Sequence, residues 1–130
     1  MVYDALFFFC SLLFSMATTF IAALFFGIDI LKKVEKPARY TGGEWGSGGS
    51  QFKDYNYCLC FPDVYEVGMS HLGMKILYSL LNEREDIWCE RVFAPWIDME
   101  EQMRKAEIPL YGLESMDAIK DFDFIGFTLQ

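Results

Sequence analysis

Histidine and cysteine are scarce in this sequence: His71 is the one imidazole, and the thiols are Cys10, Cys58, Cys60 and Cys89. A lone histidine excludes a paired-imidazole metal centre and leaves no Ser-His-Asp arrangement to argue. No C-x2-C pair and no C-x3-C-x2-C run occurs, so a zinc ribbon and a short-spaced iron–sulfur clamp are both excluded from this chain. Cys58 and Cys60 stand two apart in an apolar run. A strand there would point both thiols to one face and make a bond between them difficult, so buried, reduced cysteines are expected.

Positive charge is short as well: 11 Lys and Arg oppose 19 Asp and Glu, for a net charge of −8. Residues 1–40 carry three acids and four bases, and residues 41–130 carry sixteen acids and seven bases. The acidic part would repel phosphate backbones, so no nucleic-acid partner is expected. Glu100 and Glu101 are neighbours on a helical stretch and point apart rather than converging on a substrate. Met69, Met74, Met99 and Met103 read as core or interface filler. No catalytic residue and no metal ligand is expected, and no internal repeat is visible.

Composition divides the chain into three parts. Residues 5–28 contain no Asp, Glu, Lys or Arg. As a helix they would span about 36 Å, against a hydrocarbon core of about 30 Å. Lys32, Lys33, Lys36 and Arg39 come soon after, so an inserted helix would leave the remainder on the cytoplasmic side, anchored to the membrane. A misassigned start would equally explain a segment that shares nothing with the rest of the chain. Residues 29–54 form a Gly-rich lead-in, and residues 55–130 form the domain proper.

Within that domain, Tyr57 to Phe61 reads as a buried strand, followed by a loop and then a helix from Ser70 to about Arg84. Leu72, Ile76, Leu77, Leu80 and Leu81 repeat at three- and four-residue spacing and are expected to face a sheet, with Gly73 allowing close approach. Ile87 to Phe93 reads as a second strand. Asp98 and Glu101 have the spacing of a capping box, opening a helix to about Ala106. Ile108 to Leu113 reads as a short extended piece, Asp117 to Lys120 as a helical turn, and residues 124–129 as a last, central strand, apolar on both faces. Alternating strands and helices imply an α/β fold with a parallel sheet and right-handed crossovers. A central strand with no successor makes the sheet read as truncated.

Ligands of such sheets lie beyond the carboxyl ends of the strands, which directs attention to the loop after the first one. Its run from Asp63 to Gly68 resembles the cobalamin signature D-x-H-x-x-G, with Gly73 at a further glycine position and Tyr65 where the cobalt-ligating histidine would stand. Ile125-Gly126-Phe127-Thr128 resembles a second element, I-G-x-[ST]. Longer blocks, at residues 36–44 (KPARYTGGE), 61–77 (FPDVYEVGMSHLGMKIL), 89–96 (CERVFAPW) and 123–130 (DFIGFTLQ), resemble the N-terminal region of a family of radical SAM proteins.

That resemblance implies a partial Rossmann-like domain, cobalamin-binding-domain-like and truncated, preceded by an apolar N-terminal helix. It also implies a missing C-terminal radical SAM domain holding SAM and a 4Fe–4S cluster. The residues it singles out as cofactor-contacting are Asp63, Tyr65, Gly68, Ser70, His71 and Thr128. Tyr65 argues against a histidine-ligated cobalamin and leaves open two alternatives, binding without protein ligation or a domain that keeps the fold and has lost the ligand. His71 has two readings, a packing or capping residue in a first helical turn or a hydrogen-bonding partner for a ligand tail. The competing expectation for the whole chain is a small membrane-anchored interaction module with no enzymatic role.

Overall fold

A computed structural model describes residues 28–45, 47 and 53–128. The membrane helix expected at residues 5–28 therefore lies almost wholly outside the described residues. Among the described residues, no helix is long and apolar enough to cross a membrane.

The elements are β1 (Tyr55–Phe61), α1 (Tyr65–Ser70), α2 (Leu72–Asn82), β2 (Ile87–Phe93), α3 (Ile97–Lys105) and β3 (Phe124–Phe127), with 3-10 turns at Pro37–Tyr40 and Ile119–Asp121. All strand pairs are parallel and the order is β2-β1-β3, with Tyr57 opposite both Cys89 and Phe124. This is the parallel α/β sheet expected from the alternation of strands and helices, and it fits the partial Rossmann-like fold that the resemblance implies. The strand expected at the centre, β3, instead lies at the end of this three-stranded order, and β1 takes the middle. Phe124 and Phe127 are correspondingly exposed, at 53% and 68%.

Two further differences have local causes. The helix expected from Ser70 begins at Leu72 as α2, and the loop expected before it holds a helix of its own, α1; His71, extended (φ −78°, ψ 109°), separates the two. Asp98 does not cap α3: the cap position is Trp96, with no side-chain cap bond. Asp98 instead accepts the Glu35 and Met99 amides, each at 2.7 Å. Along that helix the i,i+4 pairs Glu100–Arg104 and Glu101–Lys105 form at 2.7 and 2.6 Å. Residues 108–113 make an isolated bridge, Tyr111 to Ala118, rather than a strand.

On one sheet face, Leu59, Phe61, Cys89 and Phe93 pack with Met74 of α2 and with Leu113, bordered by Tyr57, Tyr78 and Leu81. On the other face, Cys58, Cys60 and Val92 lie under Leu110, Ile119 and Phe122. A third cluster ties Ile30, Val34 and Tyr40 of the lead-in to Met99 and Met103 of α3. The helix α2 thus meets the sheet through Met74, Tyr78 and Leu81. Of the five residues expected to do so, Leu81 does, whereas Leu72, Ile76, Leu77 and Leu80 are exposed.

The outer edge of β2 is sealed by side chains. Asn82 accepts the Cys89 amide and donates to the Cys89 carbonyl, both at 3.0 Å. Glu114 accepts the Arg91 amide at 2.9 Å, and the Leu113 amide donates to the Arg91 carbonyl at 3.0 Å. Edge groups that would otherwise recruit another strand are thereby satisfied.

Candidate functional site

The chain leaves β1 toward β2 on one side and returns as β3 on the other, which makes the β1/β3 pair a topological switch point. In sheets of this kind the crevice outside the carboxyl ends of such a pair is where ligands sit. Asp63 stands two residues past β1. Its carboxylate accepts the Val64 amide at 2.7 Å, while its backbone carbonyl accepts the Ala94 amide and so pins the exit of β1 to that of β2. Thr128, the residue after β3, donates its amide to the Cys60 carbonyl at 3.1 Å, extending the β1–β3 ladder to the same edge. Asp63 and Thr128 are therefore brought to the carboxyl edge of adjacent strands.

The other four candidates are turned to other tasks. Tyr65 donates its hydroxyl to Glu44 at 2.5 Å and sets its ring edge-on to Phe93, with centroids 5.5 Å apart. Burial, reinforced by the hydrogen bond to Glu44, pushes its phenol up to about 12. Gly68 is buried where a side chain would run into the Phe93 ring, so it serves helix–sheet contact. Ser70 donates to the carbonyls of Glu66 and Val67, closing α1 upon itself. His71 accepts the Met74 amide through Nδ1 at 3.1 Å and tilts over Phe61 at 5.1 Å, which makes it the N-cap of α2.

No residue is thus placed as a lower cobalt ligand. Tyr65 is engaged with Glu44, and the His71 Nδ1 lone pair is taken by the backbone. Among the described residues the cysteines offer no cluster site either. Cys58 and Cys60 share one sheet face as free thiols, hydrogen-bonded with their sulfurs 3.4 Å apart, whereas Cys89 is buried on the other. The hydrogen bond between the first two raises the Cys58 thiol and lowers that of Cys60, while burial pushes Cys89 up to about 12.

A polar network that sequence reasoning passed over lies on β2. Arg91, 7% exposed, pairs with Glu114 at 2.7 Å and Glu44 at 2.8 Å, and its guanidinium stacks 4.7 Å from the Tyr78 ring. Burial raises the Glu114 carboxyl despite the pull of Arg91; Glu44 is held low because the Tyr65 and Arg91 hydrogen bonds outweigh its desolvation. Its neighbour Glu90, 2% exposed on the opposite face, accepts from Trp88 at 2.6 Å and from the Ser115 amide and hydroxyl at 2.9 and 3.0 Å. The signal for this pair was a charged dipeptide inside an apolar strand.

A cavity of about 490 Å³ borders Arg91, between Met69, Tyr78 and Phe93. Its guanidinium is already committed to two carboxylates. A second hollow of about 20 Å³ lies beside Arg39, whose buried Nη1 meets no acceptor among the described residues, and is large enough for about one water. Among the described residues, no group of three His, Cys, Asp or Glu could hold a metal ion.

No curated protein and no solved structure matches this chain. A family model does, over α2 from Gly73 through β2, α3 and β3, and leaves the Asp63–Gly68 run outside it. Residues 73–130 are similar to the family described as radical SAM proteins, N-terminal.

Proposed function

We propose that this chain is the N-terminal sheet domain of a radical SAM protein, with a ligand-presenting crevice at the carboxyl ends of β1 and β3. The observation that carries the reading is the parallel order β2-β1-β3, which sets Asp63 and Thr128 on adjacent strands at one edge. The family likeness over residues 73–130 supports the first half of the proposal, and the switch point supports the second.

Within that reading, the 4Fe–4S cluster and SAM belong to a separate C-terminal domain. This chain's three described cysteines lie on opposite faces of the sheet and do not fit a cluster. SAM cleavage to a 5′-deoxyadenosyl radical is the chemistry that domain would supply; no step of it falls to the described residues. Cobalamin is the ligand that the Asp63–Gly68 and Ile125–Thr128 runs suggest, held without a protein ligand on cobalt. Asp63 and Thr128 would hydrogen-bond its periphery, and Gly68 would keep the loop close to the sheet.

Adding hydroxocobalamin to the full-length protein is expected to give a bound visible spectrum that Asp63→Ala and Thr128→Val each weaken about tenfold, the effect of losing one hydrogen bond to a ligand. No bound spectrum would remove cobalamin and leave the family reading. A coding region with no C-x3-C-x2-C run in the few hundred residues after Gln130 would remove the family reading itself.

A further inference from the structure

The outer face of α2 is apolar where a surface helix should be polar. Taking 100° per residue, Met74, Tyr78 and Leu81 define the side that meets the sheet, and Leu72, Ile76 and Leu80 fall opposite them. Leu72 is 70% exposed, Ile76 50% and Leu80 55%. A helix added beside α2 in the same layer would touch its flank and leave this outward stripe open. The stripe calls for a partner in a further layer.

The charges beside the stripe say what kind. Lys75 of α2 and Glu83 at its C-cap share an i, i+4, i+8 row with Ser79 beside the stripe, and both border the Arg91 cavity. When two copies of a helix pack antiparallel about a two-fold axis, each flank meets its own copy in reverse order. Centred between Tyr78 and Ser79, that arrangement brings Ile76 within one residue of register with Leu80 of the second copy and Lys75 within one residue of register with Glu83 of the second copy. Both contacts occur twice by symmetry, and no like-charged pair is created along that flank. We propose that α2 is a self-complementary interface, joining two copies of this chain through its Ile76–Leu80 stripe and reciprocal Lys75–Glu83 pairs. The proposal concerns the outward face of α2, not the carboxyl edge of the sheet, and does not rest on the radical SAM reading.

Sedimentation equilibrium of the full chain tests it. A dimer is expected. Lys75→Glu and Glu83→Lys each place like charges across the two-fold and should weaken association about tenfold, while the double reversal K75E/E83K restores it, since complementary pairs return. Leu80→Glu should give a monomer with unchanged far-ultraviolet circular dichroism; should it unfold instead, the two exposed charge variants decide. A monomeric wild-type chain overturns the proposal and leaves the stripe to another partner. A dimer indifferent to every one of these changes, including one held by the apolar residues 5–28, overturns it too.

Discussion

Glu107 takes a left-handed backbone conformation, φ 55°, just past the end of α3. The Ile108 amide donates to the Met103 carbonyl at 2.9 Å and the Glu107 amide to that of Arg104 at 3.3 Å, a helix-ending pair of bonds that normally recruits glycine at this position. Glu107→Gly should therefore stabilise the chain by about 1 kcal/mol, seen as a higher urea midpoint. Alkaline titration offers a second residue-scale test. Tyr65 and Tyr111 are both pushed up to about 12, chiefly by burial. Their protonated forms contribute stability that is complete below pH 10, and it is lost as pH rises toward 12 while the unfolded phenols ionise. The urea midpoint should fall across that window, and Tyr65→Phe or Tyr111→Phe should flatten the fall. For His71 the cap was one of two readings that a first helical turn allows, and the bond from the Met74 amide is what gives it that role. The Glu44–Arg91–Glu114 set was not, because its members come from three segments that only the folded sheet brings together.

Strand β2 was legible end to end, since an apolar, β-branched and aromatic run has one reading. Helix α2 was legible as a helix but not in its orientation. Met74, Tyr78 and Leu81 repeat at the same three- and four-residue intervals as Leu72, Ile76 and Leu80, so periodicity finds two apolar faces and does not rank them. The sheet took the face with the thioether and the phenol ring, which fill the irregular space over Cys89 and beside Arg91. The seal on β2 gives an element-scale prediction. Asn82→Ala removes both hydrogen bonds to Cys89 and should cost about 1–2 kcal/mol, less than two fully buried bonds because water reaches the edge. The same variant should aggregate more readily on warming, detectable by light scattering.

At the scale of the whole molecule, the glycine-rich lead-in proves to be tied to the domain. Ile30, Val34 and Tyr40 complete the core under α3, the Glu35 amide reaches Asp98, and Glu44 holds Arg91. Gly42 makes that path feasible, for it is left-handed (φ 59°) and a side chain there would collide with the Leu113 carbonyl. Deleting residues 28–44 should bare Met99 and Met103 and leave Arg91 with one carboxylate, at a cost of several kcal/mol. Such a chain is expected to lose its cooperative urea transition. Composition could not show this, because glycines that permit a tight path and glycines that permit none in particular look alike on paper. The two rims of the sheet differ in a way that reaches beyond stability. One is closed by Asn82, Leu113 and Glu114; at the other, β3 has a neighbour on one side only among the described residues. Among the described residues the sheet can thus be extended at the β3 rim alone, and a designed complementing strand is expected to pair with Phe124–Phe127.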